Sequence, residues 1–122
     1  MPKPSLLLIG AGGHARVCIA VIEQEGKFLI AGLIGLDHEV GTQVLGYYVL
    51  GSDAAMPGLL KETRYALIAV GQIKTPDLRI RLYELARQAG CALPVVVSPR
   101  AYVSPHAMVG VGTIVVHGAV VN

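Results

Sequence analysis

Residues 5–15 read SLLLIGAGGHA, and this stretch decides how the chain begins. The apolar run from Ser5 to Ile9 ends in glycine, which suits a strand covered on both faces of a sheet. Gly10-Ala11-Gly12-Gly13-His14-Ala15 follows and fits G-x-G-x-x-A, placed between a strand and a helix. Glycines let the backbone turn tightly and let an anion reach the N–H groups at the helix start, where the helix dipole also favours negative charge. Gly10, Gly12, Gly13 and His14 are therefore candidate phosphate-binding residues. A tight turn without a ligand is the competing reading. An imidazole at that place can donate to phosphate or hold a proton near neutral pH, or simply cap and pack.

Outward from this turn, strands and helices alternate. A helix is expected over 13–25, with Val17, Ala20, Val21 and Gln24 along one stripe and Gly26 as its stop. Residues 28–34 read as a second strand. The glycine-punctuated stretch 37–52 reads as loop with short extended pieces, and Ser52 as the N-cap of a short helix to about residue 61. Residues 65–70 form another buried strand. Thr75 and Pro76 open a helix to Ala89 with Leu78, Leu82, Leu85, Ala86 and Ala89 at helical spacing, Gly90 stands past its end, and 93–97 reads as a further strand. The order implies a Rossmann-like open parallel α/β sheet over residues 1–97. Ligands of such sheets sit outside the carboxyl ends of the strands. Asp37 after the second strand can accept from a ribose hydroxyl or a base N–H, and Gly71, Gln72 and Lys74 after the strand ending at Val70 place an amide and a cation at the same edge. Arg79 and Arg81 read as solvated charge.

The end of the chain has another rhythm. Ala101, Ala107, Thr113 and Ala119 recur every six residues, and Val103, Val109, Val115 and Val121 recur two residues later. A small residue and an aliphatic at fixed offsets in so short a repeat point to a left-handed parallel β-helix, whose coils gain stability by stacking on one another. The sequence stops at Asn122, inside the fourth hexapeptide, so residues 98–122 are expected to be the first, incomplete coil of something longer.

Composition narrows the remaining classes. With 53% hydrophobic and 15% charged residues, the 122-residue chain can bury a core without staples and is not a disordered segment. A formal net charge of +2 gives no reason to expect nucleic acid or an anionic membrane as partner. Cys18 and Cys91 sit in apolar segments without metal-ligand spacing, and no metal site is expected. Without a membrane-length apolar run or a secretory leader pattern, a cytoplasmic protein is expected.

The glycine turn at 10–15, the VLGYYVLGS segment at 44–52, the AVGQIKTPDLRIRLYELA block at 69–86 and the SPRAYVSPHAMVGVGTIVVHGAVVN run at 98–122 together resemble the PglD and NeuD type of hexapeptide-repeat sugar acetyltransferase. The resemblance spans essentially the whole chain. It implies a Rossmann-like domain that binds a nucleotide-linked amino sugar or sialic-acid-like sugar, a left-handed β-helix that binds acetyl-CoA, a homotrimer, and N- or O-acetylation in bacterial surface glycan biosynthesis. Gly10, Gly12, Gly13 and His14 match the family's turn. Asp37 matches one of an acidic pair that holds the nucleotide; the other is missing, since 34–37 reads Ile-Gly-Leu-Asp, and Gln72 and Lys74 stand where they can compensate. The family's catalytic histidine lies deeper in the β-helix and is expected beyond Asn122, because His106 and His117 do not match its motif. The chain alone is then expected to be inactive and monomeric or weakly associated. Two other readings remain open: a small NAD- or CoA-binding regulatory module, and a tail that serves assembly only.

Overall fold

The computed structural model describes residues 2–70, 77–104, 114–115 and 119–121. Its centre is a five-stranded sheet made by β1 (Ser5–Ile9), β2 (Leu29–Ile34), β3 (Gln43–Val44), β4 (Tyr47–Gly51) and β5 (Tyr65–Ile68), in the order β3-β4-β2-β1-β5. β4, β2, β1 and β5 are parallel, and only the edge strand β3 runs antiparallel, paired with β4. The helices are α1 (Gly13–Glu25), α2 (Met56–Glu62) and α3 (Asp77–Gln88). This is the Rossmann-like α/β architecture expected from the strand and helix order.

The apolar run of β1 is explained by burial on both faces. Leu6 and Leu8 join Ala15, Cys18, Ile19 and Ile22 of α1 in one core, while Leu7 and Ile9 join Met56, Leu60, Leu82 and Ala86 of α2 and α3 in another. Burying each such leucine or isoleucine contributes about 1.5–3 kcal/mol. Leu67 and Ala69 face the first core and Ala66 and Ile68 the second, so the end of β5 alternates in the same way. α1 ends where the sequence placed its stop. Gly26 adopts the left-handed conformation (φ 74°) and its N–H donates to the Ile22 carbonyl at 3.0 Å.

Three details differ from the expectations. The buried stripe of α1 is Ala15, Cys18, Ile19, Val21 and Ile22, whereas Val17 is 41% exposed; residues 17–22 are apolar throughout, so packing and not pattern sets the phase. Ser52 is not the N-cap of α2, because its carbonyl accepts from Ala55 and Met56 in a preceding turn and Ala55 occupies the cap. The strand expected at 93–97 does not extend the sheet. Ala92 makes a single parallel bridge to Tyr65, Pro94 offers no N–H to continue the ladder, and the chain departs. β6 (Val96–Val97) instead lies against α1, with Val96 buried among Ala15, Cys18 and Ile19 and the Val97 N–H donating to the Glu25 carboxylate at 3.0 Å.

β6 pairs in parallel with β8 (Ile114–Val115), and β7 (Tyr102–Val103) with β9 (Val120–Val121). Val96 opposes Ile114 and Tyr102 opposes Val120, an offset of eighteen residues in both ladders. Both cysteines are buried free thiols. Burial pushes the Cys18 thiol up to about 11 and also raises Cys91, whose Sγ donates to the Leu60 and Thr63 carbonyls. Protonated and enclosed, neither is a nucleophile.

Candidate functional site

The connection through α1 carries the chain from β1 to β2 on one side, while β5 returns to pair with β1 on the other. The strand order therefore reverses at β1, and the loops beyond β1, β2 and β5 splay apart there. A cleft of about 410 Å³ opens at this place, lined by the turn 10–14, by Gly35, Leu36 and Glu39 after β2, by Asp53 after β4, by Ala69 and Val70 after β5, and by Leu78, Arg81 and Leu82 of α3.

Within the turn the glycines do different things. Gly10 has φ 123°, its N–H donates to the Ile34 carbonyl at 2.8 Å, and a Cβ there would stand 3.0 Å from the carbonyl carbon and oxygen of Ala69. Its missing side chain serves the close approach of β1 and β5. Gly12 and Gly13 are exposed and line the cleft, and a Cβ on either would meet no described residue within 4 Å. No described residue demands glycine at these two positions.

Gly12 is the N-cap of α1, no side chain caps the helix start, and its first turn contains no acidic residue. The positive end of the helix dipole is thus open toward the cleft. His14 is half-buried and lines the same wall.

Asp37 starts a short 3-10 turn, Asp37–Glu39, is exposed, and is not among the residues lining the cleft. Glu39 occupies that wall. Its Oε1 accepts from the Leu36 N–H at 2.7 Å, which folds the side chain over Gly35. Gly71, Gln72 and Lys74 lie outside the described residues, as do Thr75, Pro76, His106 and His117. Glu39, Asp53, Leu36, Leu78 and Arg81 were not singled out from the sequence as site residues. Arg81 carried no local signal that sets it apart from Arg79, and only the tertiary pairing of β5 with β1 brings it to the cleft. Among the described residues no group of three or more His, Cys, Asp or Glu side chains could hold a metal ion, and no helix is long and apolar enough to cross a membrane.

A glycine turn with open space above it, at the reversal point of a parallel sheet, invites comparison with known proteins. The family model of the PglD N-terminal domain matches residues 5–84, more than half of the chain. The chain belongs to this family. Among solved structures it is similar to PerB from Caulobacter crescentus in complex with CoA and GDP-perosamine, with 32% identity, a TM-score of 0.84, and coverage of 99% of this chain and 55% of that one. It is also similar to the acetyltransferase domain of PglB from Neisseria gonorrhoeae in complex with acetyl coenzyme A, with 32% identity, a TM-score of 0.78, and coverage of 98% and 56%. The chain thus spans little more than half the length of these structures. No curated protein sequence matches it.

Proposed function

We propose that the cleft binds the nucleotide of a nucleotide-linked amino sugar, as the substrate-binding part of an acetyl-CoA-dependent sugar acetyltransferase of glycan biosynthesis. The observation that carries this reading is the open backbone at Gly12 and Gly13, set at an uncapped helix N-terminus in the sheet's reversal crevice. Phosphate is the group that such a backbone receives. On the same wall His14 can donate to a phosphate oxygen, while the fixed carboxylate of Glu39 can accept from a hydroxyl or base N–H. Glu39 takes the place that Asp37 held in the sequence reading, and Gly71, Gln72 and Lys74 remain proposed contacts. Family membership and the GDP-perosamine and CoA complexes of similar proteins support the substrate classes.

The finer architecture is proposed on the same footing. The eighteen-residue offset of the two outer ladders equals three hexapeptides, which supports a left-handed β-helix starting at about residue 98 after a Rossmann-like unit over 1–97. Acetyl-CoA is taken as the second substrate. A homotrimer is proposed on the family resemblance, and a cytoplasmic location on the hydropathy pattern of the chain.

Calorimetric titration with UDP-, GDP- and CMP-sugars tests the binding claim. Saturable heat with at least one at a stoichiometry of one per chain is expected. Absence of heat with all three would reject the reading.

A further inference from the structure

We propose that Arg81 is a second phosphate-binding group of this cleft and makes the site select nucleoside diphosphates over nucleoside monophosphates. The inference rests on the nucleotide-binding reading above and extends it to a residue and a ligand class. Arg81 lines the cleft together with Leu78 and Leu82, so one face of α3 forms a wall of the same space that Gly12 and Gly13 border. It also lines a neighbouring cavity of about 500 Å³ between α2 and α3, and among the described residues only Asp53 shares this double position. Arg81 therefore stands where the two spaces meet.

Among the described residues its guanidinium has no hydrogen-bond or ion-pair partner, in contrast to Arg79 and Arg87 on the same helix. Arg79 donates to the Val70 carbonyl at 3.2 Å and so ties α3 to the end of β5, while Arg87 lies over the Tyr83 ring at 5.8 Å. Among the described residues the one ion pair is Lys27–Glu25, so neither Asp53 nor Glu39 neutralises Arg81. Glu39 stands after β2, with one carboxylate oxygen already held by the Leu36 N–H. A phosphate chain leaving the α1 N-terminus is repelled by Glu39 and drawn toward the guanidinium.

The division of labour follows from the chemistry. The backbone at Gly12 and Gly13 provides for one phosphoryl group. A second needs its own donors, and the planar fork of an arginine supplies two parallel N–H bonds to phosphate oxygens. A monophosphate uses the first position alone and gains nothing from Arg81.

The test is calorimetry of GDP, UDP, GMP and UMP on the chain and on Arg81→Gln, a substitution at an exposed position by another good helix former. The chain is expected to bind the diphosphates more tightly than the monophosphates. Arg81→Gln should weaken diphosphate binding by about 10- to 100-fold, leaving monophosphate binding unchanged. Arg81→Lys, which keeps the charge and loses the fork, should fall between the two and serves if the glutamine variant misfolds. Equal loss for both classes, no loss, or no diphosphate preference in the unaltered chain would overturn the role of Arg81 while the cleft reading stands. Absence of binding by any of the four would overturn both.

Discussion

Gly12→Asp is expected to abolish nucleotide binding while leaving the fold as stable as before or slightly more so. Gly12 caps α1 with φ −81° and ψ −163°, extended backbone that any L-residue adopts, and an added Cβ meets no described residue within 4 Å. Aspartate is among the best N-caps. Its carboxylate accepts from the N–H groups of the first turn and complements the dipole, so relative to glycine the helix gains about a few tenths of a kcal/mol. The same carboxylate occupies the donors that the phosphate needs and repels it at contact range. Affinity for a nucleotide-sugar should fall at least about 100-fold, since two or more charge-assisted hydrogen bonds are lost and a repulsion is added. Thermal unfolding and calorimetric titration of the same preparation check both halves. A stable variant that still binds would mean that the phosphate does not sit on α1.

Gly10→Val should do the opposite and damage the fold itself. At φ 123° a β-branched residue is far outside its allowed range, and the new Cβ would stand 3.0 Å from backbone atoms of Ala69, which cannot swing aside as a flexible side chain can. The turn must then shift, pulling apart the Gly10–Ile34 and Ala69–Ile9 hydrogen bonds that close the ends of three strands. Strain of this kind costs about 1–3 kcal/mol, and with lost hydrogen bonds the total should reach about 3 kcal/mol or more. That is a large part of the stability of an ordinary domain, on the order of 5–15 kcal/mol. Urea unfolding measures it, and an unchanged midpoint would show that the close approach of β1 and β5 is unimportant. Two glycines of one motif are thus expected to show separable duties.

Much of the fold was legible because local signals and burial agree. The five residues of β1 and the thirteen of α1 fall where an apolar run, a glycine turn and a glycine stop place them. The second strand begins at Leu29, one residue inside the expected 28–34. The outward turn of 93–97 was not legible, because Val95, Val96 and Val97 read as strand whichever partner receives them. Only the tertiary arrangement shows that Val96 is covered by α1 and paired with Ile114.

At the site, the glycine turn announced itself, but its partners did not. Asp37 and Glu39 are two acids in one loop, and the 3-10 turn decides which folds inward by giving Glu39 the Leu36 N–H. Leu78 looked like core from its spacing with Leu82. It is 37% exposed and lines the cleft. Arg81 read as solvated charge because nothing local tells that α3 passes beside the end of β1; that follows from β5 pairing with β1, a contact between segments some sixty residues apart.

The most direct test of nucleotide binding in the crevice is to follow the backbone amide resonances of the ¹⁵N-labelled chain while GDP is added. Binding as proposed predicts that the largest shifts fall on Gly12, Gly13 and His14, with smaller ones at Leu36 and along the first turns of α3. Saturable shifts confined to residues outside the crevice, with Gly12 and Gly13 unmoved, would contradict it.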